Sequence, residues 1–238
     1  IGVAFGPDTI SLDQFRAVLD NPTVRRAFAN SLLLAVITAA ISMLVAVPLA
    51  FLSQRRTNPV LRLLDFVIEG PWVVPGTVVA LGMILAFLKP LPLIGLSLYG
   101  TMAILVIAYL SRFLPLVLRP VAAAAQSADP ALDEAARITG AGLNRRILSI
   151  FLPGVLPAAA AGAILVVMTA LNELTLSTLL WSSGKETIGV MIFALQYEGN
   201  STGAAAVAVL STLLVLSLAG GATLIGSSMP KGTLPWLE

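Results

Sequence analysis

The chain contains no cysteine and no histidine, and only 11% of its 238 residues are charged. The first two absences exclude disulfides, thiol chemistry, histidine general bases and every Cys/His metal site. The third excludes a water-soluble globule, because an ordinary soluble domain carries roughly 25% charged residues. In place of charge there is hydrocarbon: 58% of the residues are hydrophobic and the mean hydropathy is +0.96. A bilayer must be the solvent for much of this chain. The formal net charge of +2 is too small to point to nucleic acid; its arrangement between the apolar stretches is more informative than its sum. No basic segment precedes an apolar run at the start, which is Ile1 rather than methionine. The expectation is a piece excised from a longer polypeptide, with no visible signal peptide.

A hydrocarbon core about 30 Å thick needs roughly 20 apolar residues per helix. Five segments meet that requirement, at residues 30–52, 71–88, 98–118, 154–180 and 203–225. All are apolar around their whole circumference, and a backbone in lipid must satisfy its own hydrogen bonds, so each is expected to be helical. Residues 12–28 place Leu12, Phe15, Val18, Leu19 and Phe28 among polar positions. That spacing suits a short amphipathic helix at the membrane interface. Residues 1–29 thus read as an external amphipathic lead-in, 30–226 as the transmembrane domain and 227–238 as a cytoplasmic tail.

The connections sort by charge. Arg55, Arg56 and Arg62 lie between the first two spans, and Arg119, Arg137, Arg145 and Arg146 between the third and fourth. Lys231 follows the fifth, while the opposite loops offer Lys89 and Lys185. The positive-inside rule therefore puts the loop at 119–153 in the cytoplasm. Arg16, Arg25 and Arg26 oppose this, since they fall outside in the company of Asp8, Asp13 and Asp20.

Within that loop Asp129 is a good N-cap and Pro130 a good first helical residue. Asp133 and Glu134 sit in the early turns, where the helix dipole favours negative charge. Gly140 suits the left-handed residue that ends such a helix. A second short helix is expected over residues 143–151, carrying Arg145 and Arg146 and stopping at Leu152-Pro153. The loop is thus a charged helix-turn-helix finger between two spans.

The order Glu134-Ala135-Ala136, then Gly140 after three residues, Ile150 after nine more, and Leu152-Pro153 resembles the EAA loop of permease subunits of binding-protein-dependent ABC importers. The resemblance covers about residues 12–226. It implies an all-α integral membrane fold of the MetI-like, type I importer class, with about five transmembrane helices and a cytoplasmic coupling helix at 130–140. It also implies partners: ABC ATPase subunits that bind ATP and Mg, a second permease half (fused or separate), and a periplasmic or extracellular substrate-binding protein. The chain itself would bind no cofactor, catalyse no reaction and sit in the bacterial inner membrane. Glu134, Ala135, Ala136, Gly140, Ile150, Leu152 and Pro153 would couple it to the ATPase, with Glu134 on the docking surface. Residues 172–200 resemble most closely the permeases for ferric iron, C-terminal half; phosphonate, thiamine, sulfate and polyamine permeases are similar there.

Other residues leave alternatives open. Asn172 and Glu173 end the fourth span; a carboxylate this deep either lines the translocation path or an outer gate, or is an interfacial charge. Pro71, Pro75 and Gly76 form either a hinge or a loop still entering the membrane. Arg112 either snorkels or faces protein. The small pairs Ala158 with Gly162 and Gly76 with Ala80 suit close helix packing in lipid. Gly184-Lys185 is no P-loop, because Glu186 stands where Ser or Thr is required and position 179 is Leu; Gly140-Ala-Gly142 lacks the third glycine of a dinucleotide site. Asn200-Ser-Thr202 is a formal sequon without further context. A secondary transporter driven by an ion gradient would need several ionisable residues at mid-membrane and inverted repeats; only Arg112 and Glu173 lie inside the spans, and no repeat is visible.

Overall fold

The computed structural model describes residues 12–53, 59–92 and 95–226, which are helical with no strand among them. A short helix α1 (Asp13–Asp20) leads into the long α2 (Pro22–Ser53). Asn21 separates them: its side-chain oxygen accepts from the Thr23 and Val24 amides at 2.9 and 3.4 Å. Pro22 follows in the first turn, where a missing N–H costs nothing. The expected boundary near residue 29 therefore falls inside one continuous helix. The tail at 227–238 lies outside the described residues, as do residues 1–11.

Among the described residues, four helical stretches are long and apolar enough to cross a membrane: Pro22–Leu52, Met102–Ser127, Leu143–Leu171 and Ser201–Leu224. At 31 residues the first is about 46 Å long, so its Arg25 and Arg26 end extends past the hydrocarbon. The expected span at 71–88 is not one rod. It is a bent pair, α3 (Pro59–Val73) and α4 (Gly76–Phe87), broken by 119°. Pro75 lacks an N–H and disfavours helical geometry at Val74, and the chain turns there.

Other boundaries move as well: the fourth span, expected to reach residue 180, ends at Leu171, where Asn172 and Glu173 interrupt it before the short helix at Ser177–Leu180. Helix α5 (Met102–Ser127) continues nine residues past the expected end of the third span, through Pro115 and Pro120. On the far side of the finger, α6 (Pro130–Ile138) is followed by α7 (Leu143–Arg146), which passes through a π turn (Ile147–Phe151) into α8 (Leu152–Leu171). Leu152-Pro153 therefore does not stop the helix. The wider π turn sits where the Pro153 ring would otherwise press on the carbonyl four residues back. After α8 come α9 (Ser177–Leu180), α10 (Ile188–Tyr197) and α11 (Ser201–Gly226).

Helices α2, α5 and α8 pack on one another as the centre of the bundle, α10 and α11 close one side, and α1 lies on α11. The centre contains Leu34, Ile104, Leu105, Phe113, Val117, Val121, Val155 and Val166, all essentially inaccessible. Gly162 sets the α5–α8 distance. A Cβ there would stand 2.7 Å from the Val117 Cα and 2.8 Å from the Leu116 oxygen. That oxygen would ordinarily accept from residue 120, which is proline and has no N–H, so the glycine approaches a carbonyl already short of its helical partner. Ala159, not Ala158, is the fully buried small residue one turn before it. Gly76 and Ala80 are both buried.

At the end of the bundle away from the finger, the segment joining α9 and α10 is strapped to α2. Arg26 donates to Glu186 through Nε at 3.0 Å, and Asn30 donates to the carbonyls of Gly184 and Glu186 at 3.2 and 2.9 Å. The Ser31 hydroxyl accepts from the Ile188 amide, and Ser182 donates to the Gly100 carbonyl. Arg26 is thus occupied in an ion pair at the end where the charge rule disfavours it.

Gly162→Ala forces two backbones apart and is expected to lower stability by about 1–3 kcal/mol, read as a fall in melting temperature in detergent. Burial raises the Glu186 pKa, but the Arg26 guanidinium and backbone amides outweigh it and hold the carboxyl below its usual value. A lowered folded pKa contributes stability that is present above the ordinary carboxylate range and lost as pH falls through and beneath it. Glu186→Gln should therefore cost about 1 kcal/mol at neutral pH and reduce the loss of melting temperature between neutral and acidic pH.

Candidate functional site

Two places in the bundle carry chemistry that packing alone does not require. The first is the finger. Asp129 adopts an extended conformation and its Oδ1 accepts from the Ala131 amide at 2.9 Å, with Pro130 opening α6. At the other end Gly140 takes φ +79°. The Gly140 amide donates to the Arg137 carbonyl and the Ala141 amide to the Ala136 carbonyl, at 3.0 and 2.9 Å. This double closure needs a left-handed residue, which glycine adopts without steric cost.

An isolated nine-residue helix is marginal in water, so something beyond its caps must hold α6. Arg146 supplies it. Its guanidinium grips Asp133 with both Nε, at 2.7 Å to Oδ1, and a second nitrogen on Oδ2. The pair joins α6 to α7 across the turn. Below it, Phe151 packs edge-on against Phe51 of α2, with ring centroids 5.0 Å apart. The finger is therefore a fixed knob rather than a loop.

None of the residues of α6 is buried. Glu134 and Ala135 are exposed, Ala136 half-buried and Gly140 exposed; Ile150 and Leu152 are half-buried and Pro153 exposed. Ile138 is 86% exposed, and Leu132, Leu143 and Leu148 are exposed beside it. Ala136, Gly140 and Ile150 come together, with Thr139, Ala141, Arg145, Arg146 and Ser149, around an open cavity of about 350 Å³. Glu134 and Ala135 stand apart from that cavity, as do Leu152 and Pro153.

The second place is where two broken elements meet. Arg112 of α5 donates to the Val74 carbonyl at 2.9 Å, satisfying a group that Pro75 exposes. Seven residues on, Arg119 pairs with Glu69 of α3, its Nε at 2.9 Å from Oε1. Residues seven apart share one helix face, so one stripe of α5 holds α3 at two levels. Opposite, α8 ends at Leu171. Asn172 donates back to the Met168 carbonyl at 3.2 Å, and Glu173 accepts from the Thr175 hydroxyl at 2.6 Å and the Leu176 amide at 2.7 Å. The Glu173 carboxylate thus caps the start of α9, whose Ser177 hydroxyl shares a buried 2.6 Å bond with the Tyr109 hydroxyl of α5.

Gly76 joins the two breaks. A Cβ on it would lie 2.2 Å from the Thr175 hydroxyl oxygen and 3.6 Å from an Arg112 nitrogen. Gly189 of α10 makes a similar approach behind, with a Cβ position 2.9 Å from the Glu173 carbonyl. Arg112 thus faces protein, of the two alternatives open to it. Neither Glu69 nor the Arg112–Arg119 spacing stands out in the sequence when arginines are counted loop by loop. Seven-residue spacing inside one helix, with a carboxylate in the preceding helix, was the available signal.

Gly76→Ala is expected to displace the Thr175 hydroxyl from Glu173 and disturb both breaks, lowering the melting temperature in detergent. Thr175→Ala in the same chain removes the colliding oxygen and should restore most of that loss, a coupling readable in a double-mutant cycle. Additive losses would show that the two residues do not touch.

The family described as binding-protein-dependent transport system inner membrane component matches residues 42–229. The chain is 30% identical over 238 residues to a probable ABC transporter permease protein of Sinorhizobium fredii, covering 99% of this chain but 41% of that relative. It is 34% identical to a putative ABC transporter permease protein of Streptomyces antibioticus, over 80% of this chain and 86% of the relative. Relatives named for a substrate include molybdate/tungstate permease of Thermococcus kodakarensis (30% identical; 73% of this chain, 67% of the relative), 2-aminoethylphosphonate permease of Salmonella typhimurium (28%; 88% and 78%) and Fe(3+) permease of Haemophilus influenzae (26%; 70% and 32%). The fold is shared with a bacterial alginate ABC transporter solved in complex with its alginate-bound periplasmic protein, at TM-score 0.72 and 20% identity over 94% of this chain and 85% of that one. The chain spans less than half the length of the Sinorhizobium relative. With four apolar spans and one broken span among its described residues, it belongs to the binding-protein-dependent family of ABC transporter permeases, multi-pass membrane subunits of transport systems rather than enzymes.

Proposed function

We propose that this chain is the pore-forming half of an importer that uses ATP hydrolysed on another subunit. The observation that carries the reading is the finger, a helix held rigid at both ends that buries none of its own residues in the chain. Such a knob is built to be grasped. Its occupant would be a cytoplasmic ATPase subunit holding ATP and Mg, with Glu134, Ala135, Ala136 and Gly140 at the contact and Ile150, Leu152 and Pro153 at its root. A second permease half, fused or separate, would complete the pore, and an external binding protein would deliver cargo. On this reading the finger lies in the cytoplasm and the 182–187 strap outside, in the bacterial inner membrane, which the arginines of the 53–62 and 119–153 connections support and Arg16, Arg25 and Arg26 oppose.

The breaks at Val74 and Asn172 are proposed as the gate. Charged groups in a membrane-spanning bundle face protein or water rather than lipid; Arg112 and Glu173 are gathered there, and the Arg119–Glu69 pair lies two turns along α5. Asn172 and Glu173 then act by setting the shape of the closed path. Ferric iron is the cargo that the resemblance of residues 172–200 points to. A second reading, an oxyanion such as molybdate or tungstate, is supported by relatives so named at 30 and 26% identity, beside 26% for the iron one. Either cargo would be selected by the binding protein and passed through a transient polar path.

Glu134→Lys in the assembled transporter should reduce substrate-stimulated ATPase activity by at least about tenfold, since a reversed charge at a contact costs several kcal/mol, while leaving basal ATPase activity of the motor. Unchanged stimulation would remove Glu134 from the contact. Uptake of ferric iron, molybdate, tungstate and 2-aminoethylphosphonate in cells lacking and regaining the transporter separates the cargo readings.

A further inference from the structure

The cavity at the root of the finger holds two adjacent arginines in different states. Arg146 is buried, and its Nε and one of its two terminal nitrogens are taken by Asp133. Arg145 lines the same cavity, is exposed, and forms no ion pair or hydrogen bond among the described residues. The rest of the lining is small and neutral: Ala136, Gly140 and Ala141, with the hydroxyls of Thr139 and Ser149. Thr139 spends its hydroxyl hydrogen on the Ala136 carbonyl at 3.0 Å. The side-chain donors left over are those of Arg145, Ser149 and the second terminal nitrogen of Arg146; with the Arg146 charge matched by Asp133, Arg145 leaves an uncompensated positive charge in an open space of about 350 Å³.

We propose that this cavity receives a carboxylate side chain of the ATPase subunit, with Arg145 as the recognising charge. The proposal rests on the docking reading above and adds to it the chemistry of the partner. A guanidinium presents parallel donors that match a carboxylate, and a small, alanine- and glycine-lined wall lets a side chain approach without collision. Glu134 lies about a turn and a half before Gly140 on the same finger. From Glu134 through the exposed Arg137 to Arg145, the charge on the knob passes from negative to positive toward its root. A complementary cleft must show the reverse order, which fixes the direction in which the finger enters it. A cytoplasmic-leaflet phosphate is the competing occupant for Arg145 and is distinguished by the test.

Because the chain has no cysteine, single cysteines can be placed without a background. In the full transporter co-expressed with its ATPase subunit, Ser149→Cys is expected to cross-link to an ATPase segment bearing Asp or Glu. Arg145→Glu should lower coupled transport by more than about tenfold. Reversing the identified partner acid to Lys should restore it, and Arg145→Lys should retain most of it. The proposal is overturned if Ser149→Cys is labelled equally by a maleimide with and without the ATPase subunit, if the cross-linked segment carries no acid, or if Arg145→Glu transports normally. Loss of Arg145→Glu activity that responds to anionic lipid content and not to the partner reversal assigns the cavity to phosphate and also overturns it. Ala135→Cys on the exposed side of α6 separates the two levels: if it cross-links to the ATPase while Ser149→Cys does not, docking stands and the carboxylate site falls; if neither does, docking itself falls.

Discussion

Everything in this bundle answers to one constraint, that backbone N–H and C=O groups at membrane depth must find partners inside the protein. Long helices satisfy it automatically. A break does not, and each break here is accompanied by a polar side chain that repairs it. At Val74 the exposed carbonyl meets Arg112, and at the end of α8 the carboxylate of Glu173 caps the start of α9. Arg112 and Glu173 are costly residues in a span. Their cost is intelligible once the breaks are seen, because an unrepaired carbonyl or amide in hydrocarbon costs several kcal/mol as well.

The same constraint explains what could and could not be read from the residues in order. The apolar spans, the caps at Asp129 and Pro130, and the left-handed turn at Gly140 are local features, set by neighbouring residues, and the chain displays them openly. The bend at Pro75 is half-legible: a proline announces an interruption, but not whether the helix curves, ends or turns by 119°. The run at Leu152-Pro153 misleads for a related reason. Proline usually ends a helix, yet a π turn one residue earlier absorbs it, and nothing in residues 147–151 signals that wider turn.

Contacts between distant residues are least legible. Arg26 reads as a charge on the wrong side of the membrane until Glu186, 160 positions away, is found against it. Arg119 reads as one more loop cation until Glu69 of α3, 50 positions away, is found against it. The Tyr109–Ser177 bond is invisible to any pattern, since Tyr109 sits in an apolar run and Ser177 is one hydroxyl among several between Glu173 and Thr178. Each of these pairs needs the third dimension, because neither partner's neighbours in sequence betray the other.

The finger and the breaks are joined through the two most deeply packed helices. α5 runs from Arg112 and Tyr109 at the breaks down to α6, with only Ala128 and Asp129 between. α8 runs from the root of the finger, through the π turn, to Asn172 and Glu173 at the other end. Gly162 brings these two helices into backbone contact midway. A close-packed interface of this kind transmits displacement rather than absorbing it. Any tilt imposed on α6 would therefore reach both sides of the Gly76–Thr175 contact together, one side through α5 and Arg112, the other through α8 and Glu173. If the two breaks form the proposed gate, a helix pair that shares one handle and holds both of its faces would let a small push at one end separate surfaces at the other.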